Sequence, residues 1–328
     1  MDALKMAAFR PFLTILTSKA TTMIITSAQT AEKIASLDEV QAITEMVHLS
    51  FSNCTDERMK FLFKNLIDHI HNFVRETSLT HEEWSASIDF LDRFRREDRY
   101  IMVISDVFGV SALVDLVNNN KPRHATEQTI LGPSLYREYS DLKVILSPLR
   151  GKANICMCLG VFWTSKETLV AGAVMDVWEA DQHGVYDKEY PDYNDKPDCR
   201  GRFTTGEDGT FAFRAVKPLA YPFNAGGPIE DLLDALNSIK HRPAHLHFKI
   251  VAPNFRELVT QLYLKGDKYL EIDTAFAVRQ SLVVDPKLIT DTSVTLARGF
   301  KEAKPHLELE RDFVLVREQD LIKAEAKA

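Results

Sequence analysis

His245 and His247, two residues apart in HRPAHLHFKI at 241–250, are the first side chains whose type and spacing could do chemistry together. Residues i and i+2 of a β-strand point to one face, and Leu246, Phe248 and Ile250 alternate with His245, His247 and Lys249 as a strand with one apolar face requires. Both imidazoles can then reach one object, and neutral imidazole is the commonest metal ligand; two rings facing water are the plainer alternative. LIDHIHNFV carries His69 and His71 at the same spacing, but Leu62, Leu66, Ile70, Phe73 and Val74 recur there at helical period. On a helix two such rings diverge by roughly 200°, so these two are expected on a helix surface. Two imidazoles do not saturate a catalytic metal. The connection that precedes the HxH pair holds Tyr186, Tyr190, Tyr193 and Tyr221. A hard trivalent cation such as Fe(III) can take the proton from a phenol of ordinary pKa about 10, so phenolate ligation is reasonable, although composition does not select the tyrosines. The residues by themselves lead to a non-haem metal site of two histidines with oxygen donors. Cys156 and Cys158 also have strand spacing; a zinc site shared with the histidines is one reading and buried apolar packing in ICMCLGVFW the other.

The elements that must position these residues change character along the chain. From about 30 to 120 the period is helical, with starts marked at Thr55-Asp56-Glu57 and by Thr80 with Glu83 as a capping box. LDRFRREDRY reads as a solvated helix face. After Pro122 short β-rich runs follow, and Glu207-Asp208-Gly209 between GRFTT and TFAFRAV predicts a hairpin. The expected fold class is α+β: a leader at 1–29, a helical domain at 30–125, and a mostly antiparallel β-sandwich catalytic domain at 126–328. The 328 residues carry a net charge of -7 and 45% apolar content, enough for a full core and against a nucleic-acid partner. No apolar run reaches the roughly 18 residues of a membrane span. Four scattered cysteines fit a reducing compartment, so the expected location is cytoplasmic. The Ser/Thr-rich leader, with Lys5, Arg10 and Lys19 against Asp2, keeps mitochondrial import as the alternative. No Walker loop or dinucleotide fingerprint is present, and Gly226-Gly227-Pro228 reads as a turn.

In order, LGP (131–133), AGAVMDVWEADQHGVYD, RGRFTT, DGTFAFRAVKPLAYP, RPAHLHF and TQLYLKGDKYLEID resemble the intradiol ring-cleaving dioxygenases, over roughly residues 100–318. ISDVFGVSALVD is closer to the hydroxyquinol and chlorocatechol branch than to plain catechol enzymes. The resemblance implies a non-haem Fe(III) cofactor on Tyr186, Tyr221, His245 and His247, with Tyr221 and Arg242 catalytic: Tyr221 as the base that leaves the metal, Arg242 as the cation beside the substrate. It implies O2-dependent cleavage of a small aromatic diol between its two hydroxyls, with both oxygen atoms inserted. Hydroxyquinol is the expected diol, catechol or chlorocatechol the alternative. The substrate pocket carries over to Val103, Asp106, Ile130, Leu131, Gly132, Pro133, Ser134, Phe223, Asn224, Gln261 and Ala275. A homodimer through the helical domain, with a lipid at its interface, is also implied. The chain departs from the family pattern at Ser134, where an aromatic is usual, at Phe223-Asn224, at Gly226 and at Asn254. Asp106 has two readings, a carboxylate beside the ring or a helix N-cap. A zinc-binding or purely structural β-sandwich is the rival from another class.

Overall fold

The computed structural model describes residues 38–97, 102–118, 121–132, 155–164, 166–191, 197–222 and 227–320. The leader at 1–29 lies outside them. By contact the chain forms two compact units, 1–89 and 90–328, so the helical segments near 102–118 belong to the second. The first unit holds α1 (Glu39–Ser50), α2 (Glu57–Thr77) and the start of α3 (His81–Glu97). Each start has a side chain for the orphan N–H groups. Asp38 accepts from Gln41 N at 2.8 Å, and Asp56, one residue after the expected Thr55, accepts from Met59 N at 2.9 Å. Thr80 and Glu83 form the expected capping box at 3.2 and 2.9 Å. His69 is exposed, and His71 bonds Thr44 Oγ1 through Nδ1 at 2.8 Å, so this pair shares no ligand. No residue of α2 is buried in the single chain.

Among its described residues the second unit is a sandwich of two five-stranded sheets, preceded by short helices α4 (Met102–Val107) and α5 (Val110–Asn118). In one sheet β1 (Ile155–Thr164) runs antiparallel to β4 (Thr210–Val216). Its other edge pairs in parallel with β11 (His306–Glu310) and then β12 (Phe313–Leu315); β10 (Lys287–Ile289) completes the sheet. The other sheet has the order β3 (Arg200–Thr204), β2 (Val174–Trp178), β7 (His245–Val251), β8 (Leu258–Leu264), β9 (Val283–Val284). A two-residue ribbon pairs β5 (Tyr221–Pro222) with β6 (His241–Arg242). Apart from the pairs β1 makes with β11 and β12, and β8 with β9, the described pairings are antiparallel, as expected. Phe162, Phe211, Phe213, Phe248 and Phe313 fill the space between the sheets with Met175, Leu246 and Ile250. Burying each such side chain contributes about 1.5–3 kcal/mol.

The expected hairpin at 207–209 is corrected. The turn exists, with Gly209 N donating to Gly206 O at 3.1 Å, but its arms join different sheets: β3 pairs with β2 and β4 with β1. Turn chemistry fixes the reversal, whereas the sheet each arm joins is decided by packing, here Phe203 stacked on Phe213 at 5.1 Å across the interface. Asn254, the departure after Ala-Pro, takes φ +66°, a left-handed conformation that asparagine tolerates next after glycine.

Gly160 lies where the edge of β1 passes from β11 to β12. A Cβ there would fall 1.9 Å from Arg311 O and 2.7 Å from its carbonyl carbon, which are backbone atoms that cannot swing aside. Gly160→Ala is expected to lower stability by at least the ~1–3 kcal/mol of an overpacked site. Thermal or urea unfolding checks this; an unchanged midpoint contradicts the close approach.

Candidate metal and substrate site

The registers that build the sheet also build the site. His247 lies opposite Trp178 of β2 on one side and Gln261 of β8 on the other, and His245 lies opposite Tyr263. Leu246, Phe248 and Ile250 enter the sandwich core, so the imidazoles point out of the opposite face. That face is not wet: His245 is 2% exposed and His247 1%. Cys156 and Cys158 sit in the sandwich core, on the other side of the sheet from the histidines, and a zinc site shared between them is excluded.

Loops bring the tyrosines over the imidazoles. Asp181 winds the first, accepting from His183 N (2.8 Å), Val185 N (3.2 Å) and Tyr190 Oη (2.5 Å). The Tyr186 N–H is then held by Glu189 Oε2 at 2.8 Å, and Asp187 is locked to Arg200 by a buried two-point ion pair. Removing one partner of such a pair costs about 3–5 kcal/mol, because the other charge stays buried. Tyr221 comes from β5, paired to Arg242. Two glycines in left-handed conformation make the convergence possible. A Cβ on Gly184 (φ +76°) would lie 2.7 Å from Tyr221 Cβ, and one on Gly132 (φ +74°) 2.9 Å from His247 Cε1.

Four donor atoms result. Tyr186 Oη is 3.0 Å from Tyr221 Oη and 3.0 Å from His247 Nε2; His245 Nε2 is 3.1 Å from His247 Nε2 and 3.5 Å from Tyr221 Oη. Ligands about 2.0–2.1 Å from one ion stand about 2.9 Å apart at right angles and about 3.5 Å apart at 120°, so this ring of edges fits a small metal ion. His245 Nδ1–H donates to Pro243 O at 2.7 Å, which leaves the Nε2 lone pair facing the ring centre. Burial, then Arg242, pushes His245 down to about 3, and burial, then His245, holds His247 well below its usual range, so both rings are in the neutral, ligating form. Burial raises Tyr186, with Tyr221 adding to it, and burial raises Tyr221 against the pull of Arg242. Without a bound cation both phenols keep their protons. Among the described residues no three His, Cys, Asp or Glu gather as a metal site, so a metal held here uses the phenols.

Arg242, 1% exposed, lies beside the ring. Its Nη1 is 3.1 Å from His245 Nε2, its Nη2 donates to Gln261 Oε1 at 2.9 Å, and its Nε donates to Asp273 Oδ1 at 3.0 Å. Burial works against both charges of this pair, yet each keeps the other ionised: Asp273 stays below the carboxylate range and Arg242 above the guanidinium one. Gln261 is fixed in turn by Tyr263 Oη (2.7 Å) and by its own donation to Ile130 O (2.8 Å). Trp178 stacks on His247 at 4.7 Å and 8°.

The described pocket positions gather around this centre. Val103, Ile130 and Ala275 share one apolar cluster, and Leu131 packs on Trp178 and Tyr186. Asp106 is buried in the last turn of α4, so it is not the N-cap of that helix; burial raises its carboxyl, against a bond from Ser111 and the charge of Arg242. Pro133, Ser134, Phe223 and Asn224 lie outside the described residues, as does Gly226. Sequence reasoning missed Asp273, Trp178, Tyr263 and the Asp187–Arg200 pair. Strand register alone could have found Trp178 and Tyr263; Asp273, in the loop LEIDTAFAV, carries no pattern of its own.

The chain matches two family models, Catechol dioxygenase N terminus over residues 56–126 and Dioxygenase over 157–316. It is 35% identical to an intradiol ring-cleavage dioxygenase of Aspergillus niger, over 88% of each protein. It is also 35% identical to a hydroxyquinol 1,2-dioxygenase of a Rhizobium species, over 83% of this chain and 94% of that one. Among solved structures, a hydroxyquinol 1,2-dioxygenase of Pseudomonas putida superposes with a TM-score of 0.75 at 33% identity, over 85% of this chain and 99% of that one. A four-donor centre of two tyrosines and two histidines on a β-sandwich, and relatives of this similarity over nearly their whole length, lead to one conclusion: the chain belongs to the intradiol ring-cleaving dioxygenases, which are oxidoreductases.

Proposed function

We propose that this enzyme holds a non-haem ferric ion on Tyr186, Tyr221, His245 and His247 and cleaves hydroxyquinol between its two adjacent hydroxyls, giving a hydroxymuconate that contains both atoms of O2. The observation that carries it is the ring of four donor atoms with 3.0–3.5 Å edges beside a buried guanidinium. Bound ferric iron supplies Lewis-acid activation of the diol and the visible charge-transfer colour of a phenolate complex. The chain's own residues do the rest. Tyr221, less buried than Tyr186 and carried on a two-residue strand, would take a hydroxyl proton of the diol on its Oη. Tyr186, fixed by Glu189 and Asp187, stays. Arg242 stabilises the negative charge that develops on the ring oxygens. Trp178 and Leu131 exclude water from behind His247 and Tyr186.

Hydroxyquinol is favoured over catechol by Asp106, a buried carboxyl on the same helix face as the pocket residue Val103, and by relatives that bear the hydroxyquinol name. A site built to bond a hydroxyl rejects the analogue that lacks it, because its own polar group is left unpaired. The cytoplasm is the proposed location, in keeping with four free cysteines. No described helix is long and apolar enough to cross a membrane. The helical unit is proposed to form the dimer, with a lipid at the interface, because Leu62, Leu66, Ile70 and Phe73 of α2 are 45–54% exposed on one amphipathic face.

Four measurements test this reading. Ferric-loaded protein is expected to be coloured and to consume O2 with hydroxyquinol. Tyr221→Phe should keep iron while losing most turnover, and His245→Ala should lose the iron itself, by more than the ~10–100-fold in affinity that loss of an outer-shell partner costs; a colourless, inactive protein after ferric loading sinks the enzyme and leaves the zinc or structural reading. Asp106→Ala should narrow the ratio of kcat/KM for hydroxyquinol over catechol through loss on hydroxyquinol; an unchanged ratio removes Asp106 from the choice of diol and leaves that choice open. Sedimentation should give about twice the 37.3 kDa chain mass, and a monomer at micromolar concentration contradicts the dimer.

A further inference from the structure

The carboxylate of Asp273 sits on no helix or strand, is 5% exposed, and receives four N–H groups. Arg242 Nε reaches Oδ1 at 3.0 Å and Arg242 Nη2 reaches Oδ2 at 3.3 Å. Ala275 N reaches Oδ1 at 3.2 Å and Ala277 N reaches Oδ2 at 3.0 Å. One anion therefore grips the guanidinium on one side and the 273–277 turn on the other. The turn contains Phe276 at φ +53°, a conformation that costs free energy unless its surroundings impose it, and the two backbone bonds to Asp273 do so. Ala275 and Ala277 then close the apolar cluster with Val103 and Ile130 that the proposed function takes as the substrate wall. With Nε and Nη2 both engaged, Nη1 alone is aimed at the four-donor centre, 3.1 Å from His245 Nε2.

We propose that Asp273 is the positioning residue of the ring-cleavage reaction: it fixes the Arg242 guanidinium and the Ala275 wall as one piece and acts on the substrate only through them. The inference rests on the reading of the four-donor centre as the diol site. A planar guanidinium held at two points presents its remaining N–H groups in a fixed plane, whereas one held by a neutral amide can rotate out of it. Reaction geometry tolerates little of this, since a displacement of about 1 Å costs on the order of 100-fold.

The test is a double-mutant cycle on ferric-loaded protein with hydroxyquinol. Asp273→Asn keeps the shape of the side chain and sets an NH2 group against the guanidinium; kcat is expected to fall 10–100-fold while iron content and the visible band stay as in the wild type. In an Arg242→Gln background the same change is expected to cost clearly less than in the wild type, about 2- to 5-fold, because the guanidinium is gone and only the Ala275 turn remains to be positioned. Losses that multiply, with iron content and unfolding midpoint preserved, assign Asp273 a general structural role and overturn the proposal. A second arm does not need Asp273→Asn to fold: in Arg242→Ala, millimolar guanidinium ion should restore part of the turnover and methylammonium should not, since only the planar ion fits the two oxygens of Asp273. Equal rescue by both ions, or none by guanidinium, also overturns it. Wild-type protein that is coloured and active keeps the diol-site reading whichever way these arms fall.

Discussion

The site depends on the desolvation of two neutral imidazoles. A strand with alternating polar residues usually turns that face to water, but on β7 both histidines are covered, and their Nε2 atoms stand 3.1 Å apart. Burying polar atoms this way is unfavourable unless they are partnered. The surrounding architecture supplies partners and cover unequally: the Pro243 carbonyl fixes the His245 tautomer, Trp178 covers His247, whose Nδ1 has no hydrogen-bond partner, and the two tyrosines fold down where Gly132 and Gly184 leave room. Each of these features is local in sequence but meaningful only because β2, β7 and β8 lie side by side.

Charge is arranged by the same economy. Arg242 and Asp273 are both sealed from solvent, and neither could stay ionised alone. Asp187 and Arg200 repeat the arrangement behind Tyr186. The two pairs sit at the roots of the two sides of the site, so the groups facing the ring centre are uncharged imidazoles and phenols, one guanidinium excepted. A cation entering such a cavity meets four donors and a single positive charge that Asp273 offsets, and an anionic diol meets a preset positive end.

Much of this was legible in the sequence, for physical reasons that differ by residue. His245 and His247 were legible because period-two alternation fixes a shared face whatever the strand pairs with. The capping box at Thr80 and Glu83 was legible because both its bonds are local. Tyr186 and Tyr221 were not separable from Tyr190 and Tyr193 by composition, and only the ordered motifs of the resemblance singled them out. Asp273 was invisible, since an isolated acid in a loop gains its meaning from a partner 31 positions away. The turn at 207–209 misled for the converse reason: its local chemistry was right, but the destination of its arms is a tertiary decision.

The parallel pairing of β1 with β11 and β12 has a consequence for how the chain is made. β1 can meet β4 as soon as residue 216 has left the ribosome, but its other edge has no partner until 306–315 follow. At about 5–20 residues per second that is several seconds during which a long apolar strand, ICMCLGVFWT, exposes an unpaired edge. Such edges recruit strands from other chains. Closure by residues 306–315, about ninety positions after β4, therefore makes nascent-chain aggregation, rather than the stability of the finished sandwich, the step at which low temperature and chaperones would most change the yield of this enzyme.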